Sequence, residues 1–263
     1  MTHAAALDGP QIRLTGWALA PALLAAGAAL AVWLLDANTV AFVHLNAAAA
    51  RWPAWLWSLI TDQASTLSAA ALLALCVYRH PRIATAGLFS WPAGLVLIRG
   101  LKAWADAPRP AATLPADSFQ LIGTELTRYS FPSGHTATAF ALAAALLYSI
   151  DRAARRRWAL PVLSAAALVG VSRIAVGAHW PVDVLAGAAL GWLCGLSGAL
   201  AAARWPLWRT PAGYRTLAGL ALCAGGLRMA LESGYPDARG VAIVLGAGAC
   251  AAALICLTRG VRA

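Results

Sequence analysis

Eight runs of mostly apolar residues divide this chain, over 17–35, 55–78, 83–101, 135–150, 159–177, 182–203, 214–232 and 240–258. A helix needs about 20 such residues to cross the hydrocarbon core of a bilayer. The expected fold class is therefore all-α, a polytopic transmembrane helix bundle. No connection between the runs is long enough for a soluble domain. Composition agrees, because 61% of the residues are hydrophobic and only 11% are charged, against about 25% charged in soluble domains.

The net charge of +10 raises the question of nucleic acid. The cations are scattered singly at helix ends, with one basic cluster at Arg152, Arg155, Arg156 and Arg157. Such a cluster reads as a cytoplasmic anchor, so no nucleic-acid partner is expected. Cys76, Cys194, Cys223, Cys250 and Cys256 all fall within apolar runs, without metal-binding spacing. They read as small buried hydrophobes. The first run is longer than a signal-peptide core and lacks a convincing cleavage site, which makes it an uncleaved first span. The stretch 183–203 is rich in Gly and Ala, which lets helices approach closely.

The longest connection, 102–134, holds Pro108, Pro110, Pro115 and Pro132. Those prolines exclude one continuous helix, although 117–127 could form a short interfacial one. Arg13, Arg79, Arg82, the cluster at 152–157, Arg204, Arg209, Arg215, Arg259 and Arg262 fall in one set of connections. The opposite set holds Arg51, Arg128 and Arg239. The positive-inside rule then places both termini in the cytoplasm. Trp52, Trp55, Trp57, Trp104, Trp158, Trp180, Trp205 and Trp208 lie near the expected span ends and read as an interfacial belt.

Three short stretches hold most of the remaining polar chemistry, all expected on the non-cytoplasmic face. Lys102 and Arg109 flank a loop stiffened by Pro108 and Pro110. Arg offers a planar fork for two phosphate oxygens and Lys a compact charge. Taken alone, the pair could equally be ordinary interfacial cations. Pro132, Ser133, Gly134 and His135 open the next run, where free helix amides make an anion site. Ser133 can add a hydroxyl, Gly134 allows close backbone approach, and His135 can touch a bound phosphoryl group. A plain N-cap beside an exposed histidine is the simpler reading of that tetrapeptide. Farther along, Arg173 adds a cation, and His179 and Asp183 are one helical turn apart. That spacing lets the carboxylate fix the imidazole tautomer and leaves the other nitrogen free to attack. A structural His–Asp pair closing a helix start is the alternative.

Together these segments resemble the signature of the type-2 phosphatidic acid phosphatase superfamily. Its pattern is Lys, six residues, Arg-Pro; then Pro-Ser-Gly-His; then Ser-Arg, five residues, His, three residues, Asp. Lys102 to Pro110, Pro132 to His135 and Ser172 to Asp183 match every defining position, in order. The resemblance implies that His179 is the nucleophile that forms a phosphohistidine and that Asp183 orients it. His135 would be the general acid and then the base. Lys102, Arg109, Ser133, Gly134 and Arg173 would bind the substrate phosphate. It implies no cofactor and no metal.

The expected activity is an integral membrane phosphatase acting on a lipid phosphate or diphosphate. Undecaprenyl diphosphate, phosphatidylglycerol phosphate, phosphatidate and a lipid A phosphate are the candidate substrates. Other membrane lipids would be its partners. A phosphotransferase passing the group to a second lipid, and a non-enzymatic lipid-binding or transport component, remain the alternatives. The expected location is the bacterial inner membrane, with the site facing the periplasm or cell exterior.

Family members of this type commonly have six spans. The expected division is therefore a phosphatase core over 1–209 and two additional helices over 210–263. Arg228 and Glu232 are four residues apart and could pair on one helix face. Asp62 and Arg99 could line the pocket, or face water. His3, His44 and His80 have no partner spacing and are expected at the surface.

Overall fold

A computed structural model describes residues 16–259. These residues form α1 (Gly16–Leu34), α2 (Asn38–Ala49), α3 (Ala54–Asp62), α4 (Thr66–Cys76), α5 (Pro81–Ala105), α6 (Pro110–Thr113), α7 (Gly134–Ser149), α8 (Arg152–Ala175), α9 (Pro181–Arg204), α10 (Pro211–Ala230) and α11 (Arg239–Arg259), with no strand among them. Local chemistry sets the boundaries. Pro81, Pro181 and Pro211 open α5, α9 and α10, where a missing N–H leaves no bond unmade. Ser65, Ser133, Asp151 and Thr210 cap α4, α7, α8 and α10 by accepting a first-turn backbone N–H.

The chain is a polytopic transmembrane helix bundle. Among the described residues, five helical segments are long and apolar enough to cross a membrane, or six if the bent pair α3–α4 is one span. Large apolar side chains such as Leu24, Leu95, Leu160 and Val244 remain exposed on its outside. So many exposed large apolar side chains suit lipid rather than water.

At its centre α9 packs on α7, α5 and α1. Trp192 Nε1 donates to the Ala18 carbonyl at 2.7 Å, tying α9 to α1. The α7–α9 contact is backbone against backbone. A Cβ on Gly191 would lie 2.1 Å from the Ala137 carbonyl oxygen, and one on Gly195 2.2 Å from that of Ala141. Gly191→Ala is therefore expected to force the helices apart, at about 1–3 kcal/mol for overpacking. Its thermal aggregation midpoint in detergent should fall. Gly219→Ala, whose Cβ would meet nothing within 4 Å, should leave the midpoint unchanged. On the other side of the bundle α10 and α11 pack together against α4, around Tyr214, Leu217, Ala218, Ala253 and Cys256.

Every apolar run is occupied by helix, but the fold departs from expectation in several places. The run 55–78 is not one straight helix: α3 and α4 meet at 60° across a short break. Ser65 caps α4 there, and the Thr61 and Asp62 side chains are drawn to partners on other helices. Among the shorter segments, α2 was not expected. Its Asn46 is buried and donates to the carbonyls of Gln120, Ile174 and Ala175. Residues 117–127 form no helix, because their backbone groups are satisfied elsewhere. Gln120 N–H donates to Asn46 Oδ1 and Ile122 N–H to the Val176 carbonyl.

Some side chains also differ. Trp57 and Trp180 are buried, with their indole N–H groups on the carbonyls of Ala49 and Pro108. They do not belong to the exposed belt that Trp52, Trp55, Trp104, Trp158 and Trp205 form. Cys223 is exposed rather than buried. Arg228 does not pair with Glu232, since α10 ends at Ala230. It pairs with Asp62 instead, and both are fully buried. Arg13, Arg262 and His3 lie outside the described residues.

Candidate active site

Four helix ends deliver the three polar segments to one place. Lys102 is in the last turn of α5, Arg173 in the last turn of α8, His135 in the first turn of α7 and Asp183 in the first turn of α9. The link 176–180 holds His179. It turns at Gly177, whose φ is +74° and whose Cβ would lie 2.6 Å from the Gln120 carbonyl oxygen. Only glycine meets both conditions. The segments are bonded to one another directly. Ser133 N–H donates to the Asp183 carbonyl at 2.9 Å, and Arg109 Nη1 donates to the Ala178 carbonyl at 2.8 Å.

His179 is the best-defined group. Its ring is 2% exposed. Nδ1 lies 3.3 Å from Asp183 Oδ2, and Nε2 lies 3.3 Å from Arg109 Nη1. A guanidinium can only donate. Nε2 therefore presents a lone pair, and the proton resides on Nδ1, facing the carboxylate. Asp183 Oδ2 also accepts from Ser130 Oγ at 2.5 Å and from Trp180 N–H at 2.9 Å. Burial, followed by the charges of Arg109, Arg173 and Lys102, holds the His179 imidazole well below its ordinary range. Protonation is thus deferred to pH well under about 6.5. The ring is neutral at pH 7, and stability falls as the pH drops below about 6.5, where the unfolded chain takes up a proton that the folded ring refuses.

Three cations surround this imidazole, and backbone carbonyls hold two of them. Lys102 Nζ donates to the Tyr129 carbonyl at 2.5 Å. Arg109 Nε donates to the Arg128 carbonyl at 2.9 Å. Arg173 is buried, and its Nη1 donates to Thr61 Oγ1 at 2.5 Å and to the Tyr235 hydroxyl at 2.7 Å. Arg173 Nε is buried with no hydrogen-bond partner among the described residues. Neutral carbonyls and hydroxyls orient these cations without cancelling their charge. The arrangement can accept an anion with several oxygens.

A cavity of about 1050 Å³ opens beside these groups. Lys102, Tyr129, Gly134 and His135 line one end, and Leu88, Leu142 and Cys194 lie deeper. Lys102 to Leu88 is fourteen residues of α5, about 21 Å along a helix. A Cβ on Gly134 would meet nothing within 4 Å. Ser133 is buried at the N-cap of α7, with its Oγ accepting from Thr136 N–H.

Every residue expected at the site from the sequence is at this locus. Arg109 touches His179 directly, whereas Arg173 and Lys102 bear on it through charge. Arg99 lines the cavity, but Asp62 does not. Sequence reasoning missed Ser130, Thr61 and Tyr235. Each is a lone hydroxyl residue without periodic or motif context, so no local signal marks it.

A neutral imidazole, a carboxylate and three cations gathered at helix ends, beside an apolar cavity that Lys102 and His135 reach, suit a phosphate group carried on an apolar molecule. The family model of the PAP2 superfamily matches residues 83–211, the part of the chain that holds all three polar segments. A lipid A 1-phosphatase of Porphyromonas gingivalis is 46% identical over 70 residues, which are 26% of this chain and 15% of that protein. An undecaprenyl-diphosphatase of Sulfolobus acidocaldarius is 41% identical over 78 residues, covering 29% of this chain and 36% of that one. The chain thus spans between 15% and 36% of the length of these curated relatives. The crystal structure of Aquifex aeolicus LpxE is similar with a TM-score of 0.54 and 28% identity, covering 61% of this chain and 93% of that one.

Proposed function

We propose that this chain is an integral membrane phosphatase that removes a phosphoryl group from a lipid phosphate or diphosphate. The observation that carries this reading is the placement of His179. Its Nε2 lone pair faces Arg109 at 3.3 Å, its Nδ1 proton faces Asp183, and cations surround it. In the proposed first step Nε2 attacks phosphorus. The bond to the leaving oxygen breaks, its electrons stay on that oxygen, and His135 protonates it. In the second step His135 takes a proton from water, the water oxygen attacks phosphorus, and the phosphorus–nitrogen electrons return to His179. Asp183 steadies the charge on the ring throughout. Lys102, Arg109, Arg173, Ser133 and the Gly134 backbone hold the phosphoryl oxygens. Fixed cations here take the part that Mg²⁺ takes in many phosphoryl-transfer enzymes.

The cavity supports a lipid substrate. Its walls turn apolar along α5 and α7, so tails could enter sideways between helices with the headgroup at the interface. The names of the relatives support lipid A 1-phosphate and undecaprenyl diphosphate as the first candidates. The distribution of arginines supports a site on the non-cytoplasmic face and cytoplasmic termini. Residues 1–209 would be the working core.

A panel of lipid A, undecaprenyl diphosphate, phosphatidate and phosphatidylglycerol phosphate in detergent tests the reading, each lipid presented alone with EDTA. Inorganic phosphate should be liberated from at least one, at the same rate as without chelator. No liberation from any lipid would overturn hydrolysis, and loss in EDTA restored by added metal would overturn the metal-free step.

A further inference from the structure

The helices that follow the superfamily match have a place at the site. Residues 83–211 match the family, and α10 and α11 come after them. The connection between these two helices reaches back over the end of α3, and Tyr235 is on it. Its hydroxyl lies 2.7 Å from Arg173 Nη1, and Thr61 Oγ1 lies 2.5 Å from the same nitrogen. Nη1 has two hydrogens, and these two acceptors take both. What remains is the edge formed by Nε and Nη2, and Nε is buried without a partner among the described residues. This is an edge with two parallel N–H groups, suited to two phosphate oxygens.

The position of the hydroxyl is fixed from several sides. The Tyr235 ring packs against the cluster of Trp57, Val176 and Ala178. A Cβ on Gly123, which has φ of +83°, would lie 2.7 Å from the ring. Ser58 Oγ donates to Asp237 Oδ2 at 3.2 Å, which pins the loop to α3. Below it the buried Arg228–Asp62 pair joins α10 to the end of α3. Thr61 is the neighbour of Asp62, so one junction supports both hydroxyls.

Resting on the phosphatase reading above, we propose that Tyr235, outside the superfamily match, is a positioning residue that acts with Thr61 to turn the free edge of Arg173 toward the substrate phosphoryl group. The two C-terminal helices then complete the phosphate site by bracing one of its cations. Without the hydroxyl, Nη1 keeps one acceptor and the guanidinium can rotate away from the bidentate geometry.

The test is Tyr235→Phe in the full chain, with Thr61→Val as a second variant that removes the other acceptor. The readouts are KM and kcat on whichever lipid phosphate the unaltered protein hydrolyses, inorganic phosphate as inhibitor, and the thermal midpoint. Each variant should raise KM and the phosphate inhibition constant about tenfold, the size of one hydrogen bond to a charged group. Turnover at saturation should change by less than about threefold, because the lost contact serves ground state and transition state alike. The midpoint should stay put. In an Arg173→Lys background, Tyr235→Phe should weaken phosphate binding no further, since the fork it orients is gone.

Unchanged phosphate inhibition in both variants would overturn the role of Tyr235. So would the same tenfold loss in the Arg173→Lys background, or a loss that tracks a falling midpoint. Those outcomes leave the phosphatase reading standing. An unaltered protein that neither hydrolyses lipid phosphates nor binds inorganic phosphate would overturn both.

Discussion

His179→Ala is expected to lower the release of phosphate by on the order of 10⁴-fold or more, as removal of a nucleophile does elsewhere, while lipid phosphate still binds. The two halves of that expectation rest on different residues. In the proposed mechanism turnover needs the Nε2 lone pair, and no other described side chain at the site presents a neutral nitrogen held by a carboxylate at 3.3 Å. Binding needs charge, and Lys102, Arg109 and Arg173 are held by Tyr129, Arg128, Ala178, Thr61 and Tyr235 rather than by the imidazole alone. Brief incubation with a lipid phosphate labelled with ³²P should leave acid-labile label on the unaltered protein and none on the variant. Full activity of the variant would remove His179 from the chemistry.

The largest expected effect on stability lies away from His179 and its cations. Arg228→Met leaves Asp62 as a buried charge without a counter-charge, its Oδ2 keeping only the Ser68 hydroxyl at 3.2 Å, and Asp62 and Arg228 are exposed by only 0% and 1%. Breaking such a pair from one side costs about 3–5 kcal/mol. Asp62 Oδ1 already lacks a hydrogen-bond partner among the described residues, so little remains to hold the carboxylate once Arg228 is gone. Arg228 also donates to Ser68 Oγ at 2.8 Å, and the loss reaches the first turn of α4. The single variant should fail to express or should melt well below the unaltered protein in detergent. The double variant Asp62→Leu with Arg228→Met should recover most of that loss, because apolar replacement of a whole buried pair is often neutral or better. A single variant as stable as the unaltered protein would show that the pair is solvated.

The contrast between these residues explains what could be read from the chain beforehand. His179 and Asp183 are one turn apart, and their chemistry is specific enough that spacing alone suggests the pair. The three cations that gather around His179 were legible for the same reason, as each stands beside a proline, a glycine or a helix end within a short motif. Arg228 was misassigned because Glu232 is near in sequence, whereas its partner Asp62 is 166 residues away. The bend between α3 and α4 was hidden because the apolar run 55–78 contains no proline or glycine to announce it. It comes from tertiary bonds to Thr61 and Asp62 that no window of sequence displays. Residues 117–127 failed for a related reason, since a segment whose amides are claimed by Asn46 and Val176 does not need to coil on itself.

The bare stretches of α9 against α7 bear on the two histidines from a distance. One helix carries His135 in its first turn, and the other begins just after His179 and contains Asp183. Nothing between Gly191 and Ala137 is thick enough to yield. The gap between His135 and His179 is thus gauged by the first two turns of α7 against α9, and a single added methyl group there would reset it.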